Sequence, residues 1–325
     1  MVALSIGLCL NACTILDKPG LIRGETRPEI NSNYETANPL GYRLTAEPFP
    51  YEMQLTLASK ELDINIYEVK FPSAVRSPYE VNNTVYGMYY RPNRCDRERV
   101  PGVVVLDILD GSQRVARAQG LYLACRGVAV LTLYLPYYGP RRPGNVRFLS
   151  LNLEHTRRAM EQAVLDVRRA VAWLRSRPEI DQERLTVMGT SFGSFIAALS
   201  AAMEPGIRRV IILLGGGGLV DAYYDHPRVQ PYRKVWEALG GTKQRLKELI
   251  APLDPVTYAD RLRDREVLII AGKRDEIVPP QAAEALAKAC PGARLIWFDC
   301  THYSAILYFV PAMELSLQVI RAKPR

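Results

Sequence analysis

From about residue 102 onward the chain alternates short apolar runs with stretches of helical periodicity, and this alternation limits the possible folds more than any other feature. Residues 102–109 (GVVVLDIL) form a near-continuous apolar run, as in a strand buried on both faces. A helical stretch follows at 113–125, then a second apolar run at 128–135. Between 155 and 175, Met160, Ala163, Val164, Val167, Ala170, Val171 and Leu174 recur at helical spacing with Arg and Glu between them, and Pro178 closes the helix. A strand at 185–188, a helix at 192–203 and a strand at 210–214 come next. A strand at 267–271, a helix at 280–289, a strand at 294–298 and a last helix at 305–320 complete the pattern. Such alternation predicts βαβ units, hence a mostly parallel central sheet flanked by helices. Ahead of it, strands at 53–57, 64–71 and 84–91, joined by turns such as Val81-Asn82-Asn83, are expected to form an antiparallel edge. The rhythm breaks at about 215–262, where Gly215 to Gly218, a Tyr- and Pro-rich stretch and a helical pattern at 243–250 predict a small inserted cap.

With 48% hydrophobic and 23% charged residues, the chain of 325 residues has the make-up of a globular protein, and residues 51–325 are expected to form one large α/β domain. The net charge of +8 is spread along the whole chain. No basic run is interleaved with aromatics, so nucleic acid is not an expected partner.

Residues 2–10 (VALSIGLCL) are apolar and uncharged. The run is too short for a bilayer, which takes about twenty residues, and it reads as the core of a signal peptide over residues 1–12. Leu10-Asn11-Ala12-Cys13 resembles the bacterial lipobox, which implies a lipidated Cys13, membrane anchoring and a place in the bacterial cell envelope facing the periplasm. Without that processing the expected location is cytoplasmic. Residues 13–50, rich in Pro, Asn and Gly, read as an irregular linker or an irregular wrap over the domain surface. Cys9, Cys95, Cys125, Cys290 and Cys300 match no zinc or redox spacing, and their disulfide status stays open.

The chemistry centres on Gly189-Thr190-Ser191-Phe192-Gly193, a Gly-x-Ser-x-Gly pattern between a predicted strand and a predicted helix. A tight turn there projects the serine hydroxyl above the strand ends, and side chains at either glycine would clash with the crowded turn. A serine hydroxyl is a poor nucleophile at neutral pH, so it needs a base, and the base needs an orienting acid. The chain has three histidines: 155, 226 and 302. His302 follows the last apolar strand, and Asp275 follows the strand at 267–271, with Glu276 as its rival. Both lie at carboxyl ends of strands, where sites in such sheets form. His155 and His226 read as solvated or structural, with His226 also placed to line a pocket under the cap.

The order Ser191, Asp275, His302 and the stretch from about 101 to 320 resemble the α/β-hydrolase superfamily. Asp254-Pro255-Val256-Thr257-Tyr258-Ala259, followed by Arg274-Asp275-Glu276-Ile277-Val278-Pro279, is similar to its dienelactone hydrolase, acetyl xylan esterase and prolyl-oligopeptidase-like branch. The resemblance implies an α/β-hydrolase fold and a catalytic triad with no metal or organic cofactor. It also implies an oxyanion hole made by the backbone N–H of Phe192 and one from the turn after the first buried strand. Many relatives carry His-Gly at that turn; here it reads Asp107-Ile108-Leu109-Asp110-Gly111-Ser112, with Leu109 or Ile108 as donor. A carboxylate there opposes the developing charge unless it is paired. Tyr137, Tyr138 and Arg141 follow another strand end and are candidate substrate-binding residues; Tyr223, Tyr224 and Trp236 are candidates from the cap. The expected function is hydrolysis of a small carboxylic ester through an acyl-enzyme. The alternatives are a peptidase, thioesterase or acyltransferase with the same triad, or a non-catalytic surface protein.

Overall fold

The computed structural model describes residues 20–96, 98–109 and 111–322. The apolar run at 2–10, Cys13 and Asp110 lie outside the described residues. Ten strands form one sheet in the order β1-β2-β3-β4-β6-β5-β7-β8-β9-β10. The chain enters through β1 (Leu21–Thr26) and a short helix, α1 (Ser32–Ala37), then runs through β2 (Phe49–Ser59), β3 (Ile64–Pro72) and β4 (Thr84–Pro92). These four strands are antiparallel, and β4 also pairs antiparallel with β6. The parallel part follows: β5 (Val100–Leu106), α2 (Arg114–Ala124), β6 (Ala129–Leu133), α3 (Leu153–Arg175), β7 (Ile180–Thr190), α4 (Phe192–Met203) and β8 (Arg209–Leu213). The insertion holds α5 (Leu219–Tyr223), α6 (Gln230–Ala238) and α7 (Lys243–Ile250). The chain then closes with β9 (Glu266–Gly272), α8 (Pro280–Ala289), β10 (Arg294–Phe298) and α9 (Phe309–Arg321). This is the α/β-hydrolase fold.

The expected parallel core follows from burial. Every residue of β5, β6 and β8 is buried, because helices cover both faces and leave no side of these strands to water. One apolar layer lies between the sheet and α3, α4 and α8, the other between the sheet and α2 and α9. Helix α3 starts on Asn152, whose side-chain oxygen accepts from the Glu154 and His155 amides. Strand order reverses at β5, since the chain steps out to β6 and returns to β7 on the other side. β5 and β7 stay paired to their carboxyl ends, but the chain leaves them toward opposite faces of the sheet, into α2 and α4, and the crevice between such diverging connections is the place where these sheets bind ligands.

The segment 20–50 departs from its expected irregular course. Strand β1 pairs with β2 in regular register, and Thr26, Asn38, Tyr42, Leu44 and Phe49 are buried. Tyr42 and Phe49 join the main apolar core, and buried charge holds the rest. Glu35 of α1 reaches into the molecule to Arg168 of α3 at 2.6 Å, and Arg168 also bonds Glu204 at 3.1 Å and the Tyr42 carbonyl at 2.7 Å. Of the described cysteines, Cys125, Cys290 and Cys300 are free thiols, and Cys95 is buried in the core.

Candidate active site

The turn joining β7 to α4 carries Ser191 at φ 53°, ψ −117°, a backbone conformation strained for any residue with a side chain. Its amide is held by the Leu213 carbonyl of the next strand at 2.8 Å, and its carbonyl accepts the Ser194 amide at 3.0 Å. The flanking glycines are sterically required. A Cβ at Gly189 would lie 2.2 Å from the Gly193 carbonyl oxygen, and one at Gly193 would lie 2.5 Å from the Asp107 carbonyl oxygen. The second contact shows how close the loop after β5 runs against the turn.

Asp275 and His302 sit where the sequence places them, past the ends of β9 and β10. His302 Nδ1 and Asp275 Oδ2 are 2.8 Å apart. The other carboxylate oxygen of Asp275 accepts the amides of Ile277 at 2.9 Å and Val278 at 2.8 Å, so the group is fixed before it meets the imidazole. The Asp275 side chain is nearly inaccessible, whereas the imidazole keeps a face toward solvent. Glu276 does not reach the ring: it accepts the His302 backbone amide at 3.3 Å. The arrangement fixes the imidazole with Nδ1 toward the carboxylate, which leaves Nε2 as the free basic atom. From the cap, Tyr223 of α5 comes close enough to Asp275 that burial and then this carboxylate push its phenol well above the usual range.

Phe192 is the first residue of α4, so its N–H has no acceptor within the helix. On the facing loop, Asp107 is buried and its Oδ1 accepts the Ala116 amide in the first turn of α2 at 3.1 Å. Its charge is thereby turned onto a helix N-terminus, which favours an anion, and not left facing the crevice alone. Of the two candidate donors in this loop, Ile108 borders the same cavity as His302, while Leu109 is 41% exposed.

That cavity, of about 220 Å³, lies between the β5–α2 loop, α2 and the segment from His302 into α9. Its wall is apolar, with Val115, Phe309 and Met313 among its members, and Gln119 and Thr190 bring polar atoms to it. Gln119 Nε2 donates to Thr190 Oγ1 at 2.9 Å, and the amide oxygen of Gln119, though buried, meets no partner. Reading the sequence passed over this pair. The signal available was a glutamine on the buried face of α2, beside Ala116, Gly120 and Leu123.

Two predicted substrate-binding residues are elsewhere. Arg141 is wholly buried and donates to Asp166 Oδ2 at 2.7 Å, to the Asn82 carbonyl at 2.8 Å and to the Tyr134 carbonyl at 3.0 Å. Tyr137 is 4% exposed, with φ 65°; its amide bonds Asn82 Oδ1 at 3.0 Å and its ring packs on Tyr79 and Phe148. Both residues brace the loop after β6 against the N-terminal strands and α3. Tyr138 is the exception: it stacks on Phe148, which meets the Phe192 ring edge-on at 5.0 Å, so it borders the serine turn. His155 bonds the Arg147 carbonyl at 2.7 Å, and His226 packs on Tyr223; neither joins the triad residues. In the cap, Tyr224 bonds Glu237 and Trp236 bonds the Thr242 carbonyl, contacts internal to the insertion.

Residues 152–299 match the model of the prolyl oligopeptidase family, a span that includes the serine turn and Asp275. The chain has the α/β-hydrolase fold and, over that span, is similar to the prolyl oligopeptidase family. Among solved structures, this chain superposes on an acetyl xylan esterase from a Paenibacillus species with a TM-score of 0.64 at 18% identity, over 86% of this chain and 91% of that one. Acetyl xylan esterase 1 from a Thermoanaerobacterium species gives a TM-score of 0.64 at 18% identity, over 91% and 94%. A cold-adapted esterase from an Arctic intertidal metagenomic library gives 0.55 at 14% identity, over 82% and 97%. Likeness at this level carries the fold. No curated protein matches the sequence.

Proposed function

We propose that this α/β hydrolase cleaves carboxylic esters through an acyl-serine intermediate. The observation that carries the reading is the 2.8 Å contact between His302 Nδ1 and an Asp275 carboxylate already pinned by two amides, at strand ends beside the strained Ser191 turn. In this reading His302 Nε2 takes the proton of Ser191 Oγ as it attacks the acyl carbon. The carbonyl oxygen gains charge and is met by the N–H groups of Phe192 and Ile108, preorganised donors that need not reorient during the step. Collapse expels the alcohol, which takes the proton from His302, and water repeats the sequence to free the acid. Asp275 keeps the imidazole in the required tautomer throughout. Esterases among the structural neighbours support ester over amide substrates; the family match supports a peptidase as the second reading.

The test compares Asp275→Asn with Glu276→Gln on an aryl acetate. The first is expected to lower kcat by about 10⁴, as loss of the orienting carboxylate does in such triads. The second should stay within a few-fold of the parent protein. The reverse ranking would reassign the acid and sink the geometry offered here. Aminoacyl anilides cleaved faster than aryl acetates would favour the peptidase.

A further inference from the structure

We infer that the cavity beside His302 is a subsite for the leaving alcohol, and that it fits an aliphatic arm ending in a hydroxyl group; this rests on the ester reading above. Three observations carry it. The cavity is bordered by His302 and Ile108, and the imidazole is the group that returns its proton to the leaving oxygen. Ser191 is not among the lining residues, so an arm on that oxygen enters the cavity past its neighbour Thr190 and past Ile108 and His302, which line it. The space is about 220 Å³, and at about 30 Å³ for each water-sized group it holds roughly seven heavy atoms in line with its apolar lining. The mouth is apolar as well: Tyr303 and Ile306 line it and remain 70% and 66% exposed. An aliphatic chain passing between them gains contact at both ends of its path.

The inner end gives the finer specificity. Gln119 is 2% exposed, it lines the cavity, and one end of its amide is spent on Thr190 while the other meets nothing. A buried polar atom left unmatched is costly, and a ligand hydroxyl that reaches it removes the cost. A purely aliphatic arm leaves it unmatched. The alcohol that satisfies both wall and floor is a chain of about six carbons with a second hydroxyl at its far end, an arm of about seven heavy atoms beyond the ester oxygen.

The experiment follows kcat/KM for two series: acetates of methanol through hexanol plus 1,6-hexanediol monoacetate, and methyl esters of acetic through hexanoic acid. Each added methylene of the alcohol should raise kcat/KM about threefold, and the diol monoacetate should exceed hexyl acetate. Ala312→Phe and Val115→Phe, which fill the cavity from α9 and α2, should flatten the alcohol series, and Gln119→Leu should erase the preference for the diol. A flat alcohol series, a length preference found in the acyl series alone, or preferences untouched by both filling variants would overturn the subsite. Saturation-transfer NMR of 1,6-hexanediol with parent and Ala312→Phe proteins keeps the two claims apart. If no ester is cleaved, the ester reading falls. Diol binding lost on filling would then still support the cavity as a binding site, and no diol binding to the parent would overturn it.

Discussion

At Ser191 the backbone holds a conformation that costs on the order of 1–3 kcal/mol, and two glycines are what make it reachable. Gly193 does more than relieve crowding. Its missing side chain lets the Asp107 carbonyl lie against the turn, which holds the start of the β5–α2 loop close to Phe192's helix. Gly193→Ala should therefore push the β5–α2 loop off the turn, displace the oxyanion donors proposed above and lower kcat for an aryl acetate by about 10²–10³ per folded molecule. Loss of activity accompanied only by loss of folded protein would contradict that. Arg141 presents the opposite case. Its guanidinium and Asp166 form a buried ion pair, and removing one member leaves an uncompensated charge. Arg141→Met should destabilise the protein by about 3–5 kcal/mol in urea unfolding while KM for a small ester stays within twofold. A raised KM with unchanged unfolding would restore the substrate-binding role. The sequence could not show this. An arginine just past a strand end looks solvent-facing, and its partner stands on a helix that is distant along the chain.

At the scale of elements, the strands and helices of the parallel core were legible because burial on both sides forces apolar runs, and these are hard to mistake. Strand β1 was not. Its residues are largely exposed apart from Thr26, so backbone pairing at the sheet edge makes the strand and leaves no apolar pattern to read. Helix α1 is too short for a periodicity, and α6 hides in a Tyr- and Pro-rich stretch. What docks α1 is Glu35. Burial acts to raise its carboxyl, but hydrogen bonding to Arg168 and the charge of that residue outweigh it and hold the group below the usual carboxylate range. A carboxyl depressed in the folded state contributes stability above its unfolded pKa and loses it as pH falls through the folded one. Glu35→Gln should thus cost about 2 kcal/mol near neutral pH, less than a fully broken pair because Glu204 still meets Arg168. The difference from the parent should vanish in strong acid. A difference independent of pH would mean that Glu35 acts by packing alone.

Over the whole molecule, one topological fact organises the site. The reversal of strand order at β5 sends the connections after β5 and β7 to opposite faces of the sheet, and the next strands, β8 to β10, extend the sheet so that Asp275 and His302 come together at the same carboxyl edge. Chain order alone made that convergence readable, since residues far apart in sequence fall at successive strand ends. The Asp-rich turn was the part that sequence left exposed to doubt. In the fold Asp107 is bonded to the first turn of α2, a contact that no local pattern announces, because it depends on how the helix returns over the strand. The cavity floor at Gln119 and Thr190 likewise needs α2 and β7 side by side before it exists.

Everything functional here turns on Ser191 being a nucleophile. The most direct measurement is labelling of the folded protein with a fluorophosphonate, with the modified peptide located by mass spectrometry, in the parent and in Ser191→Ala and His302→Ala variants. A single adduct on Ser191, absent in Ser191→Ala and strongly slowed in His302→Ala, is the predicted result. Folded protein that takes no label, or takes it on another residue, would contradict the account.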